Sequence, residues 1–175
     1  MSLATLTGSF AAVAGFSETK TVTGQSAIAF TPALNAAASF TAAGTTTAAT
    51  ANLATPLQYT ITSSGTQTID LTSITDPLLG SVTFARCKGL IIQHASTSAA
   101  SSIKWNQSIA NSLLGWFSGA TGTPIITLLP GEWIGIGGAS ANGQTVDGTH
   151  KIITITNLDA SNSATVNVFF VGADA

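Results

Sequence analysis

At 175 residues the chain suits a single domain, long enough to bury a core without disulfides or a structural metal. Charged residues make up only 7% of it, against about 25% in an ordinary soluble domain, and the net charge is −2. The five basic residues (Lys20, Arg86, Lys88, Lys104 and Lys151) are scattered, which argues against a phosphate-binding surface and against nucleic acid as a partner.

Thr, Ser, Ala, Gly and Asn must cover the surface that charge does not. Such a coat is polar but easily desolvated when another protein docks on it, so it favours a chain that assembles. A secreted domain with a neutral surface is the other reading. Cys87 is the single cysteine, which excludes an internal disulfide. It lies within an apolar run and reads as a small buried hydrophobe. The N-terminus has no positively charged leader, and no stretch is long and apolar enough to cross a bilayer. We therefore expect folding in a cytoplasm and no membrane partner.

Residues 1–55 are rich in Ala, Thr, Ser and Gly, with Glu18 and Lys20 as their only charges. No 3.6-residue apolar stripe runs through them, and patches such as TVTGQSAIAF alternate. They read as an extended N-terminal arm carrying one or two short strands, either ordered on a partner or serving as a plain linker. Residues 56–175 read as the folded domain. In LQYTIT, Leu57, Tyr59 and Ile61 share one face, and in TQTIDLT Ile69 and Leu71 alternate with Thr68, Asp70 and Thr72. Asp76-Pro77 marks a turn. VTFARCKGLIIQHAS follows, with Val82 and Phe84 on one face, Arg86 and Lys88 alternating on a solvated face, and Gly89 as a bulge. Leu90, Ile91 and Ile92 read as buried on both sides. A short SIKW strand precedes an apolar cluster of Leu113, Leu114, Trp116 and Phe117. PIITLLPGEWIGIGG holds two strands around Pro130-Gly131, and ANGQTVDG is a loop. HKIITITNL and ATVNVFFVGA read as an antiparallel pair joined by DASNS. The fold class is therefore all-β, an antiparallel β-sandwich, with jelly-roll connectivity as one option.

The carboxylates Glu18, Asp70, Asp76, Glu132, Asp147, Asp159 and Asp174 are dispersed, and Asp76, Asp147 and Asp159 sit in turn contexts. No nucleophile elbow, phosphate loop or dinucleotide fingerprint occurs. His94 and His150 lack neighbouring ligands for a metal, and Cys87 with His94 has no nucleophile context. Asn142, Gln144 and Asp147 offer too few carboxylates for calcium. We expect no catalytic residues, cofactor or metal. Of Trp105, Trp116 and Trp133, core packing is the ordinary fate. Trp133, between Glu132 and Ile134 in an alternating run, is the candidate to face outward and stack on a sugar ring.

In its scarce charge, its Ala/Thr-rich arm, and runs such as KGLIIQHAS, LLPGEWIGIGG and KIITITNLDASNSATVNVFFVGADA, the chain resembles small structural proteins of tailed-bacteriophage virions. The resemblance is one of pattern over residues 57–175 and assigns no site residue. It implies a capsid decoration (cement) protein located in the virion, with copies of itself (a trimer, for example) and the major capsid or other virion proteins as partners. A carbohydrate-binding fibre or tail module is the alternative.

Overall fold

The structure, a computed structural model, describes residues 51, 53–76, 80–97, 101–106, 111–113, 125–137 and 143–174 in full. Residues 8–15, 18–20, 28–30 and 33–40 are described as backbone strands. Every regular element among them is a β-strand. The cluster expected at Leu114, Trp116 and Phe117 lies outside the described residues.

In the N-terminal section, β1 (Gly8–Gly15) pairs antiparallel with β4 (Ala33–Phe40), and β2 (Glu18–Lys20) pairs with β3 (Ile28–Phe30). Four strands thus stand where one or two were expected. Ala-rich segments show little alternation, yet their backbone N–H and C=O groups still need partners and find them in one another.

From β5 (Leu53–Ile61) onward the chain builds two facing sheets, and the boundary expected at residue 56 falls inside this strand. The remaining strands are β6 (Thr66–Asp70), β7 (Ile74–Asp76), β8 (Gly80–Val82), β9 (Arg86–His94), β10 (Ile103–Asn106), β11 (Ile125–Leu128), β12 (Trp133–Gly137), β13 (Gln144–Thr145), β14 (Ile152–Asn157) and β15 (Ala164–Ala173). One sheet has the order β12-β9-β15-β5, with β13 continuing the β12 edge along β9. The other has the order β11-β10-β14-β6, and β7 and β8 form a separate hairpin.

The pairing is nested: β5 with β15, β6 with β14, β9 with β12, β10 with β11. First pairs with last and second with second-last, so one long antiparallel ribbon is rolled into two sheets. That is jelly-roll connectivity.

Period-two alternation sets the inner faces. Leu90, Ile92, Val166, Val168 and Phe170 from the larger sheet meet Ile69, Ile103, Trp105, Leu128, Ile153 and Ile155 from the smaller one. Trp105 and Phe170 are among the largest fully buried side chains. Phe84 packs on Phe170 with ring centroids 6.1 Å apart.

Two expectations need correction. The final two strands do not pair with each other: β14 belongs to the smaller sheet and β15 to the larger. Their connection crosses the sandwich because buried Asn157 ties two crossing loops together. Its Nδ2 donates to the carbonyls of Ile61 (3.2 Å), Thr62 (3.0 Å) and Asn162 (2.8 Å). Ser64 N–H also donates to the carbonyl of Asp159 at 2.8 Å.

The second correction concerns β9. Leu90 and Ile92 point inward, but Ile91 is only half-buried on the outer face. The irregularity expected at Gly89 falls one residue earlier. Val171 pairs with Gly89 and Gly172 with Cys87, which leaves Lys88 as the extra residue. The opposite edge shows the same break, since β12 ends opposite Gly89 and β13 resumes opposite Cys87. Lys88 lies two residues before inward-pointing Leu90 and is 1% exposed where a solvated side chain was expected, and the extra residue brings Cys87 into the core as well.

At this bulge the chain tolerates no side chain on Gly172, because an added Cβ would run into the Arg86 carbonyl oxygen and the Phe84 ring. Gly172→Ala should lower stability by about 2 kcal/mol or more through overpacking. Denaturant unfolding measures this, and a variant within about 0.5 kcal/mol of the parent would contradict the packing described.

Candidate functional site

The outer face of the larger sheet is organised in cross-strand rows. Along the first row Trp133, Gln93, Asn167 and Gln58 stand opposite one another on β12, β9, β15 and β5. The second holds Gly135, Ile91, Phe169 and Pro56, and the third Gly137, Gly89, Val171 and Ala54. None of these residues is ionisable.

The amides of the first row form a ladder. Gln58 Nε2 donates to Asn167 Oδ1 at 2.8 Å, and Asn167 Nδ2 donates to Gln93 Oε1 at 3.0 Å. Beside them lies a trough of about 410 Å³ walled by Pro56, Gln58, Ile91, Gln93, Asn167 and Phe169. Trp133 stands at the β12 edge with 49% of its surface exposed. The third row is partly closed: Ala51 is fully buried and packs with Val171 against Ile91 and Phe169. In rows one and two Trp133, Gln58 and Pro56 are exposed and the other residues half-buried.

Trp133 therefore faces outward, as its alternation predicted. Trp105 is 2% exposed in the core, and Trp116 lies outside the described residues. Gln58, Gln93 and Asn167, none of which sequence reasoning singled out, lie on the outer face of β5, β9 and β15. Their meeting depends on cross-strand register, for which the sequence carries no local signal.

The charged residues serve the loops. Lys151 Nζ donates to Asp70 Oδ2 at 2.6 Å, and Thr72 donates to Asp70 Oδ1 from its N–H (2.9 Å) and hydroxyl (2.6 Å). Burial pushes the Asp70 carboxyl up, but these bonds outweigh it and hold it below the usual value. Asp147 accepts from the N–H and hydroxyl of Thr149 and from the N–H of His150, which brings its pKa down to about 2. His150 Nδ1 lies 3.1 Å from the same carboxylate. Asp159 accepts from Ser161 and Asn162 in its own loop, which lowers its pKa. Glu132 accepts the Leu129 N–H at 2.7 Å, pinning the Pro130-Gly131 turn. Asp76, placed beside a turn by Asp76-Pro77, ends β7 opposite Gly80 of β8 and is 3% exposed.

Among the described residues no group of three His, Cys, Asp or Glu could hold a metal ion. Cys87 is fully buried, and burial pushes its thiol up to about 12, so it is not a thiolate at neutral pH. His94 is fully buried on the inner face of β9, and its Nε2 lies 3.2 Å from the hydroxyl of buried Ser101. Burial lowers its pKa from 6.5, although the Leu128 and Leu129 carbonyls partly oppose this.

His94 thus folds as a neutral imidazole while the unfolded chain titrates at its ordinary value. Its contribution to stability is complete above pH 6.5 and is lost as pH falls below that, because the unfolded state binds the proton first. Stability should therefore decline from pH 6.5 towards 5, and His94→Gln should flatten that slope. Denaturant midpoints across this range test it, and an identical slope in both proteins would assign the acid sensitivity elsewhere.

Compared with known proteins, the chain matches no family model, no curated protein and no solved structure.

Proposed function

We propose that the chain is an assembly module of a virion coat, a decoration protein that joins copies of itself and neighbouring coat subunits. The observation that carries this reading is how the scarce charge is used. Asp70 and Lys151 pair with each other, Asp147 holds His150, Asp159 and Glu132 brace their own turns, and Lys88 and Asp76 are buried. Most of these few charges are engaged in local contacts at the loops, and the neutral Thr/Ser/Asn/Gln coat between them is cheap to desolvate on docking.

The sandwich also offers strand edges. Among the described residues β5 bonds only to β15 and β6 only to β14, so each has one backbone edge available for another strand. Pro56, which lacks an N–H, is tolerated in β5 because that strand is an edge. Addition of a neighbour's extended segment along these edges would join copies with backbone hydrogen bonds, and repetition over a lattice would multiply weak contacts. Jelly rolls also recur in viral capsid proteins, a fold-level analogy that supports the reading without deciding it.

Sedimentation of the full chain, alone and with expanded phage capsids, tests this. The expected outcome is a discrete oligomer, a trimer or another closed ring, or co-sedimentation with capsids. Thr60→Lys with Thr66→Lys places charge on exposed positions of β5 and β6. It should weaken that association at least tenfold while leaving the unfolding midpoint unchanged. A monomer that ignores capsids would overturn the proposal.

A further inference from the structure

The first two rows of the larger sheet combine three properties. They contain no ionisable side chain, they carry a continuous row of amides, and they end on an exposed indole. We propose that this face is a binding site for a neutral carbohydrate.

The ladder leaves hydrogen-bonding capacity on the surface. Gln58 and Asn167 each donate one N–H within it, so each keeps a second N–H, and Gln93 keeps both of its own. Gln58 Oε1 remains an acceptor. A line of donors and acceptors with no net charge matches sugar hydroxyls, each of which donates and accepts. A carboxylated or sulfated glycan would seek a cation, and neither row supplies one.

The apolar part fits the other aspect of a sugar. Pyranose rings present C–H faces, and Ile91, Phe169 and Pro56 offer an apolar floor beside the amides. The trough, at about 410 Å³, falls within the roughly 300–1,000 Å³ usual for small-ligand sites. At the β12 end Gly135, two residues from Trp133 on the same face, adds no side chain beside the indole. A ring stacked on Trp133 would be flanked by Gln93, and the next unit would extend along the row towards Asn167 and Gln58.

This proposal goes beyond the assembly reading and does not rest on it, since it uses the face of the sheet and the other the backbone edges. The test is calorimetric and fluorescence titration of the full chain with neutral oligosaccharides (cello-, malto-, manno- and chito-series) and with acidic polysaccharides. We expect at least one neutral series to bind, with an affinity insensitive to high salt. Trp133→Ala and Gln93→Ala should each weaken binding about tenfold with an unchanged unfolding midpoint, and Thr66→Lys alone, on β6 of the other sheet, should bind as the parent does. No neutral series binding by about 10 mM, binding restricted to acidic polymers, or binding indifferent to both Trp133→Ala and Gln93→Ala would overturn it. Loss of oligomerisation in Trp133→Ala without any glycan binding would likewise reject the sugar and mark the face as a protein contact.

Discussion

The larger sheet cannot form until β15 is inserted between β5 and β9. Val166, Val168 and Phe170 on its inner side are 0–2% exposed and reach the core that both sheets share. Its outer side supplies Asn167 and Phe169 to the candidate site. One strand therefore fixes the register of the core and of the open face together. A slip by one residue would exchange Val168 for Asn167 and remove both at once. Nested pairing makes this constraint global, because β5 and β15 are joined through every strand between them. Closing so long a loop is entropically unfavourable, and the reward arrives only when the two inner faces meet.

The bulge at Lys88 shows how the backbone overrides pattern. One extra residue between Cys87 and Gly89 shifts the alternation, so Cys87, Lys88, Gly89 and Leu90 are buried in succession. Beyond it Arg86 bonds the Thr145 hydroxyl on β13, while Gly172 lies against the Arg86 carbonyl with no room for a Cβ. Lys88 is 1% exposed at this position. Burial lowers its pKa, and the nearby Arg86 charge lowers it further.

Alternation made much of the fold legible. Ile69, Leu71, Val82 and Phe84 are all buried where period two placed them, and Trp133 faces outward for the same reason. What alternation could not convey was which strands pair. The segment DASNS looks like a hairpin connection, yet Asn157 binds it to the loop after β5 and sends the chain across the sandwich. The burial of Lys88 was illegible because its charge pointed to solvent, although it keeps the period of buried Leu90 and Ile92; the bulge alters only the facing of the residues before it. The amide ladder was illegible for another reason. Gln58, Gln93 and Asn167 lie on three strands far apart in sequence, and only register brings them side by side.

Neutrality has different consequences in the plane of the sheet and perpendicular to it. In the plane, the edges of β5 and β6 present backbone groups to whatever strand approaches, and natural edges are usually guarded by charge. Here Thr60 and Thr66 stand on those strands instead, which leaves the edges open to a partner. Perpendicular to the plane, the same lack of charge leaves amides, an indole and an apolar floor as the recognition elements of rows one and two. These geometries do not compete, since a strand added beside β5 extends the sheet without covering its face. A chain built this way can be held by its edges in an array and still present the Trp133 face to solution. Repetition in such an array would raise the avidity of a face whose single-site affinity for a neutral sugar is modest.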